Sequence, residues 1–110
     1  MTQARKHRGM RTQKVVADWF RPRGWPFVES TGAGRSGVDI TGMPGLSPEV
    51  KARTGFEPLA WLRQADREEG LPFVVFRCNG QGEANVGEWG VLLRLEHMTE
   101  LLRCAGYGGD

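Results

Sequence analysis

The stretch STGAGRSGVDITGMPGLSPEVKAR, Ser30 to Arg53, decides how this chain is read. Its first half spaces Gly32, Gly34 and Gly37 around Arg35 and Ser36. Its second half ends in Glu49-Val50-Lys51, a carboxylate and an amine two residues apart. Glycines at such spacing cradle a dinucleotide only when a strand precedes them and a helix follows, its N-terminus facing the pyrophosphate. Here Gly37 runs straight into Val38-Asp39-Ile40, a short strand. Thr41-Gly42-Met43-Pro44-Gly45 follows, a turn by its composition. Not even two turns of helix fit after the glycines, which argues against the dinucleotide reading. Two readings of the loop stay open. Its backbone passes close to something bulky, with Arg35 and Ser36 offered to phosphate, or it is a plain connector.

Upstream, Val15, Val16, Trp19 and Phe20 make one apolar stripe and predict a helix from Met10 to Arg21, stopped by Pro22 and Gly24. Trp25 to Ser30 alternates around Trp25 and Phe27 and predicts a strand, with Pro26 marking an edge. Downstream, Pro48 to Ala52 reads as a strand. Pro58 opens a helix lined by Leu59, Leu62 and Ala65 and stopped at Gly70. Phe73 to Phe76 is an unbroken apolar run, as in a strand covered on both faces. A polar hairpin-like loop, residues 79–88, leads to a last strand from Trp89 to Leu95. Met98, Leu101, Leu102 and Ala105 then predict a closing helix with Gly106 past its end. The order α-β-β-β-α-β-β-α gives an α/β (α+β) fold, a mixed central sheet flanked by helices.

At 110 residues and 39% hydrophobic, the chain has the size of one domain. The reading is a basic flexible arm over residues 1–9 and a single domain over 10–110. No apolar run nears the ~20 residues that cross a bilayer, and no apolar segment follows the N-terminal charges. That points to a cytoplasmic protein with no membrane partner. Cys78 and Cys104 match no metal spacing; they read as buried thiols, with a disulfide as the alternative. Charge is uneven. Arg5, Lys6, Arg8, Arg11, Lys14, Arg21 and Arg23 face only Asp18 in the first 23 residues, a net of +6. The whole chain is +2, so the remainder carries −4. Such a basic end is a candidate contact for a phosphate backbone, or a solvated terminus. Trp19, Trp25, Trp61 and Trp89 lie on apolar faces and read as core rather than as base-stacking groups. Arg63 and Arg67 read as a solvated helix face, and His7 and His97 as surface or capping residues.

The chemistry gathers at Asp39, Glu49 and Lys51. Residues two apart in a strand share a face, so Glu49 and Lys51 project together while Val50 points to the opposite layer. The turn at 41–45 folds the strand of Asp39 back against that of Glu49. Two carboxylates brought together repel unless a cation lies between them, and a hard divalent ion with oxygen ligands is the usual answer. Such an ion activates water and offsets charge on a phosphate, and a neighbouring lysine supports that charge. The competing reading is a cross-face Glu-Lys ion pair with no catalytic role.

Asp39, nine intervening residues and Glu49-Val50-Lys51 resemble the signature of the PD-(D/E)XK nuclease superfamily. The approach Gly34-Arg35-Ser36-Gly37-Val38-Asp39-Ile40 is similar to that of its Holliday-junction resolvases, which archaea and bacteriophages encode. The resemblance spans roughly residues 11 to 76. It implies a restriction-endonuclease-like core and a Mg²⁺-dependent endonuclease acting on DNA, branched DNA above all, with Mn²⁺ able to substitute. Asp39 and Glu49 would hold the metal, with the carbonyl of Val50 as a further ligand. Lys51 would be the catalytic lysine and Gln64 an accompanying residue on the next helix. Related resolvases place a glutamate on the first helix; here Gln13 stands closest, and Glu29 is the other candidate for that role. Ser30, Arg35, Ser36, Arg5, Lys6, Arg8 and Arg11 would contact DNA. Symmetric cutting of a four-way junction would require a homodimer. The alternatives are a nicking or repair nuclease on the same fold, and a catalytically silent nucleic-acid-binding module.

Overall fold

The computed structural model describes residues 3–31, 39–52, 55–66 and 69–109, with α1 side chains from Gly9 onward. The elements are α1 (Gln3–Phe20), β1 (Glu29–Ser30), β2 (Ile40–Thr41), β3 (Leu46–Ala52), α2 (Pro58–Ala65), β4 (Leu71–Arg77), β5 (Gly90–Leu92) and α3 (Leu95–Cys104). This is the predicted order. Short 3₁₀ turns at Arg21–Arg23 and Glu83–Glu88 join them.

β3 and β4 run parallel, joined by the α2 crossover, and β5 pairs antiparallel with β4, giving a mixed three-stranded sheet. Helices cover both of its faces. On one side Val16 and Ala17 of α1 pack with Val50, Phe73 and Val75. On the other, Trp61, Leu62 and Ala65 of α2 pack with Val74. The alternation of β4 thus feeds two cores, which explains its unbroken apolar sequence. Trp61 and Trp89 are buried in these cores, and Trp25 packs against the first through Phe20.

Four expectations change. Residues 3–9, read as a flexible arm, are helical; Gln, Ala, Arg and Lys are strong helix formers even without an apolar stripe. The strand expected from Trp25 contracts to Glu29–Ser30. Trp25 to Val28 form a turn, with the Val28 amide donating to the Trp25 carbonyl at 3.2 Å. Val28 is the buried residue and Phe27 is 83% exposed, the reverse of the expected alternation. Cys78 and Cys104 are free and exposed rather than buried, one just beyond β4 and the other on the last turn of α3. Finally, the strands form two ladders. β1 and β2 pair antiparallel with each other, and no backbone pairing joins them to β3 among the described residues.

Candidate active site

The gap between the two ladders is filled by a side chain. Asp39 ends the segment that enters β2, and its carbonyl accepts from the Thr31 amide at 3.0 Å and the Thr31 hydroxyl at 3.2 Å. Its carboxylate turns to β3, where Oδ2 accepts the Val50 amide at 2.8 Å. That amide points away from β4, to the edge where a neighbouring strand's carbonyl would otherwise bind. Within an extended strand, a residue's N–H and C=O leave on the same edge. The Val50 carbonyl is therefore directed to the edge that holds Asp39.

Glu49 and Lys51 flank Val50 and project from the face toward α2, as alternation requires. Their register partners on β4 are Val74 and Phe76, both of the α2-side cluster. The same face carries Ser47, whose hydroxyl donates to the Ala65 carbonyl at the end of α2. Glu49 is 4% exposed and Lys51 8%, and Oε2 and Nζ form an ion pair at 3.1 Å. A buried charge needs such a partner, because desolvation otherwise costs several kcal/mol per ion. Asp39 is thus bound to the main chain of Val50, and the two residues that flank Val50 in β3 form the buried ion pair.

The remaining candidates divide. Glu29 is exposed on β1 opposite Thr41, and Thr31 lies opposite Asp39, so alternation sets Glu29 on the face of Asp39 as a diagonal neighbour. Ser30 pairs with Ile40, which is buried in the core, so it turns away from that face. Gln13 lies on α1, the helix whose Val16 and Ala17 share the core with Val50. Its Oε1 is buried with no hydrogen-bond partner. Gln64 is exposed on α2, whose buried face is formed by Trp61, Leu62 and Ala65. Arg11, expected to contact DNA, is exposed and paired with a carboxylate: its Nε donates to both oxygens of Glu83 at 3.1 and 2.8 Å. Arg35 and Ser36 lie outside the described residues, as do Arg67 and the side chains of Arg5, Lys6 and Arg8.

One feature beside the site was not anticipated. The ring of Phe56, 57% exposed, packs at 5.4 Å from both Trp61 and Phe76, and Phe76 is the register partner of Lys51. The sequence separates Phe56 from Phe76 by a whole helix, and only the parallel crossover brings them together.

The donor chemistry fits a hard cation. Asp39, Glu49 and the Val50 carbonyl offer oxygen alone, and Mg²⁺ is ordinarily held by one or two carboxylates with water and substrate phosphate completing the shell. Among the described residues, no three His, Cys, Asp or Glu side chains gather as a metal-ligand group. The fold and site define an α+β protein with a buried Glu49–Lys51 pair on one face of β3 and the Asp39 carboxylate on the edge of the same strand. Comparison with family models, with curated proteins and with solved structures finds no match to this chain. No helix among the described residues is long and apolar enough to cross a membrane.

Proposed function

We propose that the protein is a Mg²⁺-dependent DNA endonuclease of the PD-(D/E)XK type, acting on branched DNA such as a four-way junction. The observation that carries this reading is the Asp39 carboxylate bound to the Val50 amide, beside the buried Glu49–Lys51 pair. Asp39, Glu49 and the Val50 carbonyl would hold the ion. When bound, Mg²⁺ lowers the pKa of a coordinated water and offsets charge on the phosphate under attack. Lys51, two residues from Glu49 on the same face, places its ammonium where negative charge develops. Asp39 is fixed by the main chain of β3, so its position does not depend on the ion. Symmetric cutting of a junction needs two such sites, and the active form is accordingly a homodimer.

A second reading is a silent nucleic-acid-binding module. It is favoured by the depth at which Glu49 and Lys51 satisfy each other. The test is incubation with a labelled four-way junction and a linear duplex, with and without Mg²⁺, for the wild type and Asp39→Asn. Paired symmetric nicks in the junction are expected only with Mg²⁺ and only in the wild type. Asp39→Asn should slow cutting at least about 100-fold, or about 2.7 kcal/mol of barrier. Equal cutting of both substrates identifies a general nuclease. Binding with no Mg²⁺-dependent cutting sinks the enzyme and leaves the module.

A further inference from the structure

The side of α1 turned from its core residues Val16 and Ala17 carries Arg11, Lys14, Val15 and Asp18, spaced i, i+3, i+4 and i+7, with Trp19 next in the row. Together with Glu83 and Val86 of the 3₁₀ turn Glu83–Glu88, these residues line a groove of about 350 Å³. That is the small end of ligand sites, which run from about 300 Å³ upward. Val15, Trp19 and Val86 give it an apolar wall, and charged groups stand around that wall. Glu83 lies between two cations, Arg11 Nε at 2.8 Å and Arg77 Nη1 at 3.8 Å. Asp18 likewise lies between Lys14 Nζ at 3.0 Å and Arg21 Nη1 at 2.6 Å. Each carboxylate thus faces two cations, and each trio keeps a net charge of +1. A further cation, Arg23, sits over the Trp19 ring, its guanidinium carbon 4.2 Å from the ring centre. The groove is therefore positive although it contains two carboxylates, and a concave site with charge of one sign concentrates ligands of the other.

We propose that this groove takes one unpaired nucleotide of a DNA strand, its base against Val15, Trp19 and Val86 and its phosphate on Arg11 and Lys14. Both cations are exposed, so a phosphate reaches them from solvent. Aromatic surface beside a positive groove is the combination that holds single strands, whose base faces are free. Paired bases are stacked inside a duplex and present only their backbone to such a groove. α1 covers the face of the sheet opposite to the one from which Glu49 and Lys51 project, so the groove holds a strand and does not cut it. The inference rests on the DNA-endonuclease reading and narrows its substrate to branched DNA with at least one unpaired nucleotide beside the branch.

The experiment is fluorescence anisotropy of a labelled oligothymidylate and of a blunt duplex of equal length, at low salt and in EDTA. The wild type should bind the single strand more tightly. Trp19→Ala should lose about 10-fold on it, within what one base on an aromatic side chain contributes, with duplex affinity unchanged. Circular dichroism reports whether that variant keeps its fold. A second measurement needs no substitution: oligothymidylate carrying 5-iodouracil is irradiated on the wild type and the cross-linked peptide is mapped. The cross-link should fall within residues 11–19 or 83–86. Equal affinity for the duplex overturns the proposal and leaves a patch for backbone phosphate alone. A folded Trp19→Ala that binds the single strand as the wild type does overturns it as well. So does a cross-link confined to another exposed aromatic such as Phe27 or Phe56, or no binding of oligothymidylate at all. Cleavage is not read in EDTA, so the two failures are distinct. A protein that cuts a junction with Mg²⁺ but fails here loses the groove alone, and one that passes here but never cuts loses the nuclease alone.

Discussion

Lys51 and Glu49 hold each other inside the protein, and that sets how their substitution must be read. Removing the amine alone leaves a carboxylate 4% exposed without its cation. Lys51→Ala should therefore cost about 3–5 kcal/mol of stability as well as activity, and lost cleavage in that variant mixes two causes. The double variant Glu49→Gln, Lys51→Met removes both charges together. It should recover most of the stability in urea unfolding while remaining inactive. If the double variant is as unstable as the single one, the pair is not what Lys51 contributes to folding. Gly42 is a second residue with a local demand. Its φ is +89°, and a Cβ there would lie 2.2 Å from the Phe27 carbonyl oxygen. Gly42→Ala should destabilise by about 2 kcal/mol or more, seen in the same denaturation assay. Because the turn at Gly42 links β2 to β3, the variant should also weaken the approach of Asp39 to Val50.

At the scale of elements, α3 hangs on an ion pair and should respond to acid before the sheet does. The hydrogen bonds from Arg94 hold the Asp66 carboxyl below its ordinary range. A carboxyl depressed in the folded state contributes stability that is present above its unfolded value, near pH 4, and lost as pH falls through the lower folded value. Lowering the pH through that window should release α3, reducing helical signal at 222 nm while the near-ultraviolet spectrum of buried Trp61 and Trp89 persists. Asp66→Asn should show the reduced helical signal already at pH 7. Simultaneous loss of both signals would mean that α3 is not an independent unit.

The elements also show what was legible in the sequence. The order of strands and helices, the two-faced burial of β4 and the shared face of Glu49 and Lys51 all follow from periodicity, because period 2 and period 3.6 leave different traces. The turn at Trp25–Val28 did not. Trp25 and Phe27 mimic an alternating strand, whereas the burial of Val28 depends on packing against Ile40 and α1, which no local pattern encodes. The bond from Val50 to Asp39 was legible only as proximity. That the carboxylate replaces a strand carbonyl at the edge of β3, splitting the sheet there, required coordinates. The ion pair of Arg11 left no trace in the sequence for a related reason: its partner Glu83 lies 72 residues away and only the fold places it there.

Over the whole molecule, charge is segregated: +6 in the first 23 residues against −4 in the rest. A DNA backbone is attracted to the first part and repelled by the second, so binding should be oriented and strongly dependent on salt. Each phosphate neutralised by a cation adds about 0.9 to the slope of log K against log salt on duplex DNA. Removing residues 1–8 deletes Arg5, Lys6 and Arg8, and should flatten that slope by up to about 2.7 if all three contact phosphate. Arg11 enters this account differently, because the Glu83 carboxylate holds it at 2.8 Å. Glu83→Gln removes that competitor and one negative charge from the same surface. It should raise junction affinity at low salt and steepen the slope, read by fluorescence anisotropy across a salt series. A slope unchanged by both the truncation and Glu83→Gln would mean that DNA meets another face, and α1 would then serve the fold alone.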